Sequence, residues 1–106
     1  MKSAALELGQ YQITVNTMEP GLVDTNMTRN PGRWKEVLKA TGKPAPKNPT
    51  EEEVIAAIVP TAVMKIPWMQ PEDIAPPVVF LASDAAYRVS GATYDATAGE
   101  SAKYTA

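Results

Sequence analysis

Two strand-like segments far apart in the chain constrain its fold more than any other feature. Gln12-Ile13-Thr14-Val15-Asn16-Thr17 alternates β-branched with polar side chains, and Ala92-Thr93-Tyr94-Asp95-Ala96 forms a second short β-patterned run after the Ser90-Gly91 turn. Everything between them reads as helix or loop. Strands joined by so long a helical connection cannot form a hairpin, so they are expected to pair in parallel through a right-handed crossover. A parallel sheet normally has helices over both faces. Two strands alone leave an open sheet edge and bare apolar faces. The order α-β-α-α-α-β therefore reads as part of a larger α/β sheet.

The helices carry recognisable signals. Ala4, Ala5, Leu6, Glu7 and Leu8 are good helix formers, and Gly9 stands where a left-handed C-cap belongs. Thr50-Glu51-Glu52-Glu53 is a capping box, followed by the apolar stripe Val54, Ile55, Ile58 and Val59. Its three glutamates suit the positive end of a helix better than a metal site. Pro71-Glu72-Asp73 opens a further helix, with Ile74, Val78 and Leu81 on one face. Pro76 and Pro77 predict a kink or a late start there, because an interior proline costs about 3 kcal/mol. Residues 29–47 hold six basic side chains and one acid, broken up by Pro31, Gly32, Gly42, Pro44 and Pro46. Trp34, Val37, Leu38 and Thr41 suit one short helix inside that stretch, which reads either as a solvated loop or as a lid over a ligand.

Composition excludes several kinds of chemistry. The chain has no cysteine and no histidine, which removes disulfides, thiolate zinc sites, a cysteine nucleophile and the commonest general base. Its net charge of −2 argues against a nucleic-acid partner. The mostly apolar run 54–64 is too short to span a bilayer, so no membrane partner is expected. Glu7 interrupts the apolar residues near the start, which does not suit a signal peptide, and a cytoplasmic location is the default expectation. Asp24-Thr25-Asn26-Met27-Thr28 opens like a calcium loop but has Arg29 where the glycine belongs and Lys35 where the final glutamate belongs, so no metal site is assigned. Asn26-Met27-Thr28 is a glycosylation sequon without meaning unless the chain is secreted. Trp34, Trp68 and Met69 suit core or interface packing, with a substrate pocket as the alternative.

Taken in order, these segments resemble one family. Leu6-Glu7-Leu8-Gly9, Ile13-Thr14-Val15-Asn16 and Pro20-Gly21-Leu22-Val23-Asp24-Thr25 resemble the segment that follows the catalytic helix of short-chain dehydrogenases/reductases. Pro71-Glu72-Asp73-Ile74-Ala75, Val79-Phe80-Leu81-Ala82-Ser83-Asp84 and Ser90-Gly91 are similar to that family's last helix and last strand. The long loop and Pro67-Trp68 are similar to the mycofactocin-coupled subgroup, which holds NAD tightly. The resemblance implies an α/β fold: the C-terminal portion of a Rossmann-like doubly wound parallel sheet, two strands with several helices. Residues 1–106 would be a single partial domain, and 29–69 its variable substrate-loop or lid region.

The resemblance also implies a parent that transfers hydride between NAD or NADP and a small alcohol or ketone, and that forms a homo-oligomer. Pro20, Gly21, Val23 and Thr25 match the family's nicotinamide-side loop. Gly21 would let the backbone pass close to the cofactor, Val23 would offer its amide and carbonyl to the carboxamide, and the Thr25 hydroxyl would bond the carboxamide or a phosphate. The alternative for these four is an ordinary strand-to-helix turn. The family's Gly-rich pyrophosphate turn matches no glycine spacing here, and its Tyr-x-x-x-Lys pair matches nothing. Val15, Gly91 and Ala98 follow Tyr11, Tyr87 and Tyr94 at that spacing. The catalytic Ser, Tyr and Lys would lie upstream of Met1, so no catalytic residue is assigned. The chain alone is expected to bind no cofactor and to be inactive. The alternatives are a non-catalytic self-association module and an inactive truncated remnant.

Overall fold

A computed structural model describes residues 1–42 and 44–104. Four α-helices and two strands follow in the order α1 Lys2–Leu8, β1 Thr17–Pro20, α2 Pro31–Ala40, α3 Glu51–Ile58, α4 Pro71–Ala82 and β2 Thr93–Ala96. Short 3₁₀ turns stand at Gly9–Tyr11, Asp84–Ala86 and Glu100–Tyr104. The sheet is parallel, with Thr17 opposite Thr93 and Pro20 opposite Ala96.

The first strand begins later than its β-branched pattern predicts. Gly9 is right-handed (φ −57°) and continues α1 into the 3₁₀ turn; the left-handed residue is Gln12, at φ 61°. Residues 13–16 are extended enough to bond the partner segment, but the partner there is a turn, not a strand. The Val15 amide donates to Ser90 Oγ (3.1 Å), and Gly91 donates to the Val15 carbonyl (2.8 Å). Asn16 donates to the Val89 carbonyl (2.8 Å) and accepts from the Ala92 amide (3.1 Å). Regular pairing starts only at Thr17. Pro20 is the last paired residue of β1.

The helix starts follow their caps. Asn30 accepts from the Arg33 amide (2.8 Å), which makes Pro31 the first residue of α2 instead of a breaker. Thr50 accepts from the Glu53 amide (3.2 Å), but the Glu53 carboxylate turns to the Thr50 hydroxyl (3.2 Å) and not to its amide. Asp73 accepts from the Gln70 amide (2.7 Å), and α4 begins at Pro71 without delay. Pro76 and Pro77 remove the donors for the Glu72 and Asp73 carbonyls; both residues are exposed, so water can take those bonds.

The buried core lies in the stretch whose sequence is most broken up by proline and charge. Leu38 from α2 and Val54 and Ala57 from α3 are buried together, with Trp34, Val37, Ile58 and Trp68 packed round them. In contrast, α1 and α4 bury no residue, and Leu6, Val79 and Phe80 are exposed. Leu38→Ala is expected to cost about 2–5 kcal/mol, because the close-packed pair cannot fill the void. A urea denaturation midpoint that does not move would contradict this.

The chain is open. Its radius of gyration is 17.3 Å, whereas a closed domain of this length has about 13 Å. Its accessible surface is 7269 Å², roughly 1,500 Å² more than a folded monomer of this mass exposes.

Candidate functional site

The loop after β1 stands at the carboxyl end of the sheet, where α/β folds place ligands. Its backbone is fixed from two sides. Gly21 donates to the Ala96 carbonyl (3.0 Å), which carries the ladder one step beyond β1. Asp24 donates to the Met69 carbonyl (2.8 Å) and Met69 to the Leu22 carbonyl (2.9 Å), so Val23 and Met69 form an isolated parallel bridge. The close approach at Gly21 is to the protein itself. A Cβ there would lie 3.1 Å from Thr97 Cα and 3.2 Å from Met69 Cε.

Thr28 closes the loop internally. Its hydroxyl donates to the Val23 carbonyl (2.6 Å) and accepts from the Thr25 amide (3.0 Å). The Val23 carbonyl is therefore engaged. Among the described residues the Val23 amide has no acceptor and the Thr25 hydroxyl no partner. Thr25 is exposed. The loop thus presents two donors near the carboxyl end of β1. Pro20 and Val23 also face an apolar hollow completed by Ile74, Val78 and Val79 of α4.

Sequence reasoning missed the clamp that holds this loop. Arg29 pairs with Asp24 through both Nε and a terminal nitrogen, the latter at 3.0 Å, and reaches Glu51 at 3.2 Å. It also lies over the Trp68 ring, 5.6 Å from the centroid. Gln70 donates to the second Asp24 oxygen (3.3 Å). The aspartate that resembled a calcium ligand is an ion-pair partner, and among the described residues no cluster of acids could hold a metal. The only signal available in the sequence was the five-residue spacing of Asp24 and Arg29. Trp34 and Trp68 pack on the α2–α3 core, as expected, while Trp68 and Met69 also line a cavity.

The Arg29 bond holds the Asp24 carboxyl below its usual value of 3.8, and the Lys103 bond holds Glu100 below 4.5. Both shifts are downward, so both groups stabilise the fold above those values and cease to do so as pH falls through their lower folded ones. Arg29→Met is expected to lower the melting temperature at pH 7, and the gap to the unaltered chain should narrow as pH falls below about 4 and Asp24 takes up its proton. A gap that does not narrow at all between pH 7 and pH 2 in circular-dichroism melts would rule out the ion pair as its source.

Comparison with known proteins fits this arrangement. The family profile described as Enoyl-(Acyl carrier protein) reductase matches residues 1–65. The chain belongs to the short-chain dehydrogenase/reductase family. It is 33% identical over 103 residues to a (-)-trans-carveol dehydrogenase of Rhodococcus erythropolis, covering 97% of this chain and 35% of the relative. It is 34% identical over 103 residues to a short-chain type dehydrogenase/reductase of Mycolicibacterium smegmatis, with the same coverage. The solved carveol dehydrogenase of Mycobacterium avium in complex with NAD superposes with a TM-score of 0.77 at 29% identity, over 92% of this chain and 34% of that one. The chain thus spans about a third of the length of these dehydrogenases. No helix among the described residues is long and apolar enough to cross a membrane.

Proposed function

We propose that the chain supplies the nicotinamide-side loop and substrate-side helices of an NAD(P)-dependent oxidoreductase acting on a small alcohol or ketone. The observation that carries this reading is the pair of donors near the carboxyl end of β1, the Val23 amide and the Thr25 hydroxyl. Two donors beside an apolar hollow fit a carboxamide next to a flat ring. When bound, the nicotinamide supplies the hydride carrier. The Val23 amide and Thr25 hydroxyl orient the carboxamide, Thr28 keeps the Val23 peptide in place, and Arg29, paired with Asp24, ties the loop to Glu51 of α3. Residues 29–69 then stand as the lid on the substrate side, and residues 1–106 as one part of a Rossmann-like domain. The solved M. avium relative with NAD supports the cofactor class.

The test fuses residues 1–106 to the preceding two thirds of a carveol dehydrogenase. The chimera is expected to oxidise an alcohol with NAD or NADP, and Thr25→Val should raise the KM for the cofactor about tenfold, the value of one lost hydrogen bond. A folded chimera in which Thr25→Val leaves the cofactor KM unchanged would defeat the reading.

A further inference from the structure

Residues 97–104 leave the carboxyl end of β2 and cross to the segment that follows α3. They fasten it through a carboxylate, an ammonium and a glycine. The Glu100 carboxylate accepts from the Val63 amide (2.8 Å). The Lys103 ammonium donates to the Thr61 carbonyl (2.9 Å) and to the other Glu100 oxygen (2.5 Å). Gly99 lies against the Val63 side chain, where a Cβ would stand 2.7 Å from Val63 Cγ1. A single ion pair thus bonds both an amide and a carbonyl of a turn far back in the chain.

The fastening holds backbone in a shape it does not favour. Among the described residues, Gln12, Lys65 and Ala98 are the non-glycine residues with left-handed φ, and two of them lie at this junction: Lys65 at 58° in the fastened turn and Ala98 at 52° in the crossing segment. Gly99 follows at 88°. Left-handed backbone is disfavoured wherever a Cβ is present and persists only where the surrounding contacts impose it. Apolar packing does not impose it here. Val63, Met64, Lys65 and Ile66 are exposed, and Ala62 alone in the turn is buried. Beneath the junction, Thr61, Met64, Ala98 and Glu100 border a hollow of about 270 Å³ in place of a packed layer. The turn is therefore held by the carboxylate and the ammonium, both partly exposed and open to screening by salt. A segment with few buried contacts and exposed hydrogen bonds opens without global unfolding.

We propose that residues 97–104 form a releasable strap. Glu100 and Lys103 act together to hold the turn 61–65, and losing either one frees the whole turn while the α2–α3 core stays folded. The turn is the trailing arm of region 29–69. The strap therefore sets how far the lid can move, a consequence that rests on the lid reading of that region.

The test measures amide hydrogen exchange by NMR on the full 106-residue chain with no cofactor present. The Val63 amide bonds Glu100, the Lys65 amide bonds the Ala62 carbonyl (3.3 Å), and Lys103 touches neither. Lys103→Met is nevertheless expected to speed exchange at both amides at least about tenfold, the value of one lost hydrogen bond. The amide of the buried Val54 should be unchanged, and Lys103→Arg should stay slow. Gly99→Ala, which pushes Val63 away, should match Lys103→Met. Exchange at Val63 and Lys65 that is unmoved by Lys103→Met would overturn the proposal. Equal acceleration at Val54 would overturn it too, by showing that the strap belongs to the cooperative core. So would Glu100→Gln that speeds Val63 but not Lys65, since that is one lost bond and no strap. Any of these results leaves the cofactor reading standing, and a chimera unable to use a nicotinamide cofactor leaves the strap standing.

Discussion

The purified 106-residue chain is expected to sediment well above its 11.4 kDa monomer mass and to approach it only on dilution. The reason is its surplus surface. Roughly 1,500 Å² beyond that of a closed monomer is about twice the ~800 Å² that each partner gives to a standard protein–protein interface. The surplus is apolar where it matters: α1 and α4 bury nothing, and Leu6, Ile13, Val79 and Phe80 are exposed. The sheet adds directional groups, since among the described residues each strand pairs on one side only. Burying apolar area contributes roughly 25 cal/mol per Å², offset in part by the entropy lost on association. A second copy meeting the first across a two-fold axis is the simplest way to satisfy both. A mass that stays monomeric from about 1 to about 100 µM, with a cooperative melt, would show that the chain closes its own core.

The same chain is expected to show no oxidation or reduction of any alcohol or ketone with NAD or NADP, a complete loss against a whole dehydrogenase. General acid–base catalysis needs a proton donor placed against the reacting oxygen, worth about 10²–10⁴-fold by itself. No tyrosine here has a lysine four residues on, and there is no histidine to stand in. The donors at Val23 and Thr25 could orient one end of a dinucleotide, but a few contacts do not offset the cost of association. Turnover by the pure chain above background, following added cofactor, would overturn this expectation. A chimera that regains turnover would locate the missing chemistry in the preceding segment.

Much of the fold was legible because its signals are local. Thr50, Asp73 and Pro71 mark helix starts through bonds made within three or four residues, and the structure has helices there. The parallel pairing was legible from chain distance alone, since no hairpin can join Thr17 to Thr93. The resemblance carried by Pro20-Gly21-Leu22-Val23-Asp24-Thr25 gave the family. A β-branched run, however, reports side-chain preference and not the partner. Whether residues 13–16 formed a ladder depended on Ser90 and Asn16, which lie opposite only in the folded chain.

The sequence by itself determined the α/β class, the starts of α3 and α4 and which loop follows β1. Tertiary structure alone decided the core's place in the proline-rich stretch, because Leu38 and Val54 become neighbours only when α2 folds back on α3. It also decided that Gly21 makes room for Thr97 and that Asp24 meets Arg29 and Gln70. The cavity lined by Trp68 and Met69 belongs with these, since its walls come from segments as far apart as Leu22 and Ala98. Each depends on contacts between residues distant in the chain, and neither composition nor local pattern encodes such contacts directly.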